Sequence, residues 1–146
     1  MFERVIYVSR ATPGVDAGSV YDIIRVSHNR NSRFGLTGAL IFLDGYFLQV
    51  LEGDGFQVRD RFSVIAADPR HTDVVLRQSA RMPHLTFATE WMALRQGVDI
   101  LQATKQAFGY APGFPADRFD ADKLAAFTLA CCTAYGERTD GAQAAR

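Results

Sequence analysis

Cysteine is nearly absent from this chain, and the two present, Cys131 and Cys132, are adjacent. Neighbours in a helix point in different directions and rarely bridge, so a disulfide scaffold is excluded and a reducing, cytoplasmic setting is expected. Charge of one sign is absent as well. Sixteen basic residues balance sixteen acidic ones for a formal net charge of +0. Binding to nucleic-acid backbone needs an excess of positive charge, so neither a dedicated nucleic-acid protein nor a membrane-surface protein is expected. No apolar run approaches the roughly 20 residues of a membrane span. The chain opens directly on strand-like sequence, FERVIYVS, and no signal peptide is evident. No His, Cys, Asp and Glu grouping has metal-site spacing. At 146 residues, 48% hydrophobic and 22% charged, the chain is a single-domain length with enough apolar mass for a sizeable core.

What is present is concentrated between Gly35 and Gly53, GLTGALIFLDGYFLQVLEG. Two apolar runs flank Asp44-Gly45, a pair suited to a type I′ turn whose twist matches the strands it joins. Continuous apolar runs belong to strands buried on both faces. Gln49 interrupts the second run. A buried primary amide needs partners for two donors and an acceptor, or its burial costs several kcal/mol. Gln49 therefore either satisfies backbone groups or reads something polar held against the sheet.

Around this hairpin the chain reads as β-α-β-β-α-β-β. Residues 2–9 alternate as a strand. Asp16 is a plausible N-cap for a helix carrying Val20, Ile23, Ile24 and Ser27 to about Asn31. Asp54-Gly55 turns into a second helix with Val58, Phe62, Ile65 and Ala66 on one face, ended by Pro69. Residues 73–81 read as a fourth strand and Thr89 to Leu94 as a fifth. This order predicts an α+β, ferredoxin-like sandwich: a five-stranded mixed sheet with two helices on one face, followed by two C-terminal helices. The expected organisation is a domain over 1–96, a helical extension over 97–136 and a disordered tail over 137–146. The extension reads as a short helix at 98–108 and a longer one at 121–135, with Leu124, Phe127, Thr128 and Cys131 on one stripe. These helices are expected to cover the sheet's other face or to contact another chain.

Several side chains could carry chemistry. Tyr7 and Ser9 share one strand face; a tyrosine there is most often a core residue. Asn31 follows Ser27 by one helical turn; an asparagine near a helix end is usually a cap. Asp68-Pro-Arg-His71 is often only a turn, although Arg70 could pair with phosphate through charge-assisted hydrogen bonds and His71 could add a donor. His28 and His84 have no partner visible in the sequence.

The run TGALIFLDGYFLQVLEG followed by DPRH, with YVS at Tyr7 to Ser9, Asn31, and FATEWM from Phe87 to Met92, resembles the BLUF domain, a flavin-binding blue-light sensor module. The resemblance covers about the first two-thirds of the chain. It implies noncovalent FAD, no enzymatic activity in the module itself, and signalling to a downstream protein or a sister subunit. It implies that Tyr7 donates an electron and then a proton to the excited flavin, relayed through Gln49, whose asymmetric amide acts as a switch. It implies further flavin contacts from Ser27, Arg30, Asn31, Arg70, His71 and Met92. Two departures stand out. Arg30-Asn31 replaces the two asparagines common in the family. Glu90 stands at the usual tryptophan place, with Trp91 after it. Adjacent strand residues face opposite sides, so either a bulge brings Trp91 round or Trp91 points away and Glu90 approaches the site. No stretch reads as a cyclase or phosphodiesterase. Two other classes remain open: an acylphosphatase-like hydrolase, which shares the fold plan and could use Arg and Asn on phosphoryl oxygens, and a flavin-free interaction domain.

Overall fold

The computed structural model describes residues 1–144, with side chains through residue 133. Two apolar strands meeting at a tight turn form its centre. β2 (Thr37–Leu43) and β3 (Tyr46–Gly53) are buried almost throughout, as their unbroken apolar runs require. Asp44 and Gly45 both take positive φ, 53° and 80°, the backbone of a type I′ hairpin. β1 (Phe2–Ala11) pairs antiparallel with β3 on one side and with β4 (His71–Met82) on the other. β5 (Ala93–Gln96) lies parallel to β2, giving the order β4-β1-β3-β2-β5.

α1 (Ala17–Phe34) starts where Asp16 accepts from the Ser19 amide at 2.9 Å, and it ends at Gly35 in the left-handed conformation. It runs one turn past Asn31, which is therefore interior to the helix. α2 (Gly55–Ala66) is capped by Asp54. Both helices pack on one face, where Val20 and Val58 meet Val5, Leu40, Leu51 and Met92. The opposite face is covered by α3 (Gln102–Phe108) and α4 (Ala121–Ala144). Leu124, Phe127 and Cys131 pack there on Ile6, Val8, Ile41, Leu48 and Val50. Thr128, on the same stripe, is also fully buried and returns its hydroxyl to the Leu124 carbonyl at 2.8 Å. Burying each such aliphatic side chain contributes about 1.5–3 kcal/mol, so α4 is an integral layer of the sandwich. α4 extends past its expected end near residue 135. The expected disordered tail involves positions whose side chains, together with all of residues 145–146, lie outside the described residues.

The fifth strand differs from expectation. Pairing with β2 begins only at Ala93, and residues 86–92 form turns, with the Glu90 amide returning to the Phe87 carbonyl at 3.0 Å. Within the turns, one backbone bond holds this stretch to β2, from the Gly38 amide to the Glu90 carbonyl at 3.0 Å. Aromatic and β-branched residues give Thr89–Met92 a strand-like composition, but local turn bonds win there.

Candidate functional site

Strand register builds the site. Tyr7 and Gln49 are direct partners across β1 and β3, and side chains at paired antiparallel positions share a face. That face is the one under α1 and α2. Both side chains line a cavity of about 250 Å³ between the sheet and the two helices. Ile23, Ile24, Ser27 and Arg30 come from α1, and Leu40 and Phe47 from the hairpin strands. Arg61, Val64 and Ile65 come from α2, and Asp68, Arg70 and His71 from the chain just after it.

Gln49 is 6% exposed, and its Nε2 donates to Met92 Sδ at 3.3 Å. A thioether is a weak acceptor, so the protein leaves the orientation of this amide loosely held. Tyr7 is 3% exposed, with its ring tilted against Phe62 and edge-on to His71, centroids 5.6 and 5.8 Å away. Burial, and secondarily the negative charge of Asp68, push its phenol well above the ordinary tyrosine range. Tyr7 therefore remains a neutral O–H.

His71 is fixed by two bonds. Its Nε2 lies 2.6 Å from the Ile65 carbonyl, which can only accept, so Nε2 carries a proton. Its Nδ1 lies 2.7 Å from Ser9 Oγ, within hydrogen-bond distance. Both nitrogens are thus engaged within the protein. The ring serves as wall, edge-on to Tyr7 and to Phe47, and no ring N–H is left for a ligand.

The solvent side of the cavity is cationic. Arg70 is bound by Asp68 through Nε at 2.9 Å and through Nη2, and this pairing holds the Asp68 carboxyl below its usual range. Arg30 and Arg61 bring two more guanidiniums, each with a buried Nε lacking a protein partner. Burial, followed by the charges of Arg61 and Arg70, lowers the pKa of Arg30. Three guanidiniums against one carboxylate leave two positive charges over.

Asn31 and Met92 stand behind the wall. Asn31 is 2% exposed; its Nδ2 donates to the Trp91 carbonyl at 2.9 Å, and its Oδ1 is buried without a partner. Met92 is 3% exposed and reaches the cavity through Gln49, while Trp91 is 37% exposed. Neither arrangement expected for Glu90 and Trp91 is found whole: Trp91 points outward as in the second, but Met92 and not Glu90 takes the inner place. Glu90 does not line the cavity.

The BLUF family, described as sensors of blue-light using FAD, matches residues 2–93. The chain belongs to this family. The β subunit of photoactivated adenylate cyclase from Euglena longa is 34% identical over 85 residues, which is 58% of this chain and 10% of that protein. The blue light- and temperature-regulated antirepressor BluF of Escherichia coli K12 is 29% identical over 108 residues, 70% of this chain and 27% of that protein. The chain thus spans about a tenth of the length of the cyclase relatives. Among solved structures, dark-state BlrB, a BLUF protein, superposes with a TM-score of 0.71 at 23% identity, covering 91% of this chain and 96% of that one. The photo-activated state of BlsA superposes with a TM-score of 0.76 at 22% identity, covering 88% and 92%.

Membership makes this chain part of a family of flavin-binding blue-light sensors; the hydrolase and flavin-free readings gain no support. As a BLUF domain it holds one cavity-lining cation that sequence reasoning missed, Arg61. The signal was present: Arg61 is one helical turn from both Val58 and Ile65, beside the core stripe of α2. Among the described residues, no helix is long and apolar enough to cross a membrane.

Proposed function

We propose that this BLUF domain binds FAD noncovalently in the cavity between the sheet and α1/α2 and reports blue light through Gln49. The observation that carries this reading is the pairing of Tyr7 with Gln49 on the cavity wall, with the Gln49 amide held only by a thioether. The unsatisfied groups fit a flavin. Asn31 Oδ1, a buried acceptor behind the wall, would meet an imide N–H after a shift of that wall. The buried Nε atoms of Arg30 and Arg61, with Arg70, suit a ribityl and pyrophosphate tail. FAD supplies light absorption and, once excited, a strong one-electron oxidant. The residues of the chain do the rest. Tyr7, a neutral phenol, would give an electron and a proton to the excited flavin and take both back as the ground state returns. Gln49 turns or tautomerises its amide, exchanging donor for acceptor at the flavin edge without a backbone movement. Met92, which accepts from Gln49 in the present arrangement, feels the change first. A two-position amide of this kind is the bistable element a sensor needs.

Two surplus positive charges suit a phosphorylated flavin rather than riboflavin, and of FAD and FMN we infer FAD because the family is described as using it. Output then passes to an effector of another protein, to a sister subunit, or to both. Acid release of the flavin from purified protein, followed by chromatography, tests the cofactor. FAD is the expected product. Recovery of no flavin, even after reconstitution with excess FAD, would sink the proposal.

A further inference from the structure

The segment from Thr86 to Met92 is gripped on both faces of the sheet. Phe87 belongs to the core beneath α4, whereas Met92 belongs to the core beneath α1 and α2. Between them the chain passes β2, where the Gly38 amide meets the Glu90 carbonyl. On the cavity side, Asn31 holds the Trp91 carbonyl and Gln49 holds Met92 Sδ. On the α4 side a single carboxylate does the holding. Glu52 Oε1 accepts from the Thr86 amide at 2.8 Å and from the Phe87 amide at 2.9 Å.

Glu52 is an unusual residue to find there. It is 1% exposed, lies on β3 three positions after Gln49 and therefore points to the opposite face, and its Oε2 is buried without a partner. A buried carboxylate is costly to desolvate and needs compensating donors. The two amides supply them; Arg4, its register partner on β1, is buried on the same face but gives its Nε to Gln78 Oε1 at 2.8 Å. A hydrophobic residue would cover Leu48 and Val50 more cheaply, but it could not fix a turn by its backbone.

We propose that Glu52 is a positioning residue for the light switch: from the α4 face it pins the start of the 86–92 segment and so holds Met92 at the Gln49 amide. The inference rests on the proposed role of Gln49, but its first part stands without flavin. With Glu52 in place, the segment has fixed ends and Met92 Sδ stays where Gln49 Nε2 can reach it. With the grip withdrawn, the segment gains play, the amide loses its one protein partner, and its return after illumination meets a lower barrier.

Two conservative variants separate reach from charge. Glu52→Gln keeps an acceptor oxygen at the same reach; Glu52→Asp keeps the charge but shortens the side chain by one methylene. Hydrogen exchange on flavin-free protein should leave the Thr86 and Phe87 amides as protected in Glu52→Gln as in wild type, and about tenfold less protected in Glu52→Asp. In flavin-loaded protein, dark recovery should be faster in Glu52→Asp by about threefold or more, and near wild type in Glu52→Gln. Adding Glu52→Asp to Met92→Ala should change recovery no further, because the path through Met92 is already cut. Unchanged exchange at Thr86 and Phe87 would overturn the grip. Equal acceleration by Glu52→Asp with and without Met92 would overturn the positioning role, as would a larger effect from Glu52→Gln than from Glu52→Asp. Absence of flavin or of any light response in wild type would count against the function proposed above and leave the exchange result to stand by itself.

Discussion

In the proposed switch, Tyr7 and Gln49 divide the work by their chemistry. The phenol is buried and neutral, so it can lose an electron and a proton together. The amide is buried and loosely held, so it can change which end faces a neighbour. Tyr7→Phe removes the proton and Gln49→Leu removes the two-ended amide; each should retain bound flavin and lose the light-induced red shift, as difference spectra would show. The raised phenol also sets a pH dependence. The unfolded phenol ionises near about pH 10, the folded one later, so this contribution to stability is full below about 10 and falls as pH rises beyond it. Denaturation from pH 9 to 11 should show a shallower decline for Tyr7→Phe than for wild type. At the cationic end, Arg61→Ala removes a charge-assisted contact of about 1.5–3 kcal/mol. FAD affinity should then fall about tenfold or more, with riboflavin affinity unchanged; titration of both flavins decides it. Gln49 was legible in the sequence because an amide inside an apolar run has few innocent explanations. Arg61 was not, because a helix offers many arginines and only packing tells which one faces a cavity. His71 was legible as a site residue, but its engagement with Ser9 and Ile65 depends on contacts 62 and 6 residues away along the chain.

The hairpin and the 86–92 segment show opposite balances between local and long-range information. Asp44-Gly45 encodes its own geometry, since both positions need positive φ and both residue types tolerate it. Strand register then follows from the turn, and the pairing of β1 with β3 delivers Tyr7 to Gln49. The stretch before β5 encodes little. Its composition suits a strand, yet Glu52, Gly38, Asn31 and Gln49, all distant in sequence, decide its path. Gly38 gives its amide to the Glu90 carbonyl, and its own lack of a side chain is required by the close approach of β3. Its φ is 152°, and a Cβ there would fall 1.9 Å from the Val50 carbonyl oxygen. Gly38→Ala should destabilise the fold by about 3 kcal/mol through strain and displaced pairing. Thermal unfolding should register a drop in Tm of about 6–12 °C; an unchanged Tm would mean that the β2–β3 pairing tolerates a side chain at this position.

At the scale of the molecule, the sheet separates two cores, one holding the site and one covered by α3 and α4. In the proposed function, a signal bound for α4 would have to cross or round the sheet. β5 offers the route around: Met92 leads into it, and Arg95 Nη2 lies 3.5 Å from the Cys132 carbonyl on α4. Met92→Ala should leave the red shift largely intact and reduce the light-dependent change in α4 hydrogen exchange. Equal exchange differences in variant and wild type would remove Met92 from the route. The ferredoxin-like plan and the apolar stripe on α4 were legible from periodicity, whereas the choice of α4's partner face required the assembled sheet. The proposed switch requires a flavin beside Gln49 that converts blue light into a reversed amide. A light-minus-dark absorption spectrum of the FAD-loaded protein, recorded for wild type and Gln49→Leu, tests it most directly. A reversible red shift is expected in wild type and none in Gln49→Leu; a full shift in Gln49→Leu, with flavin bound, would rule out the amide switch.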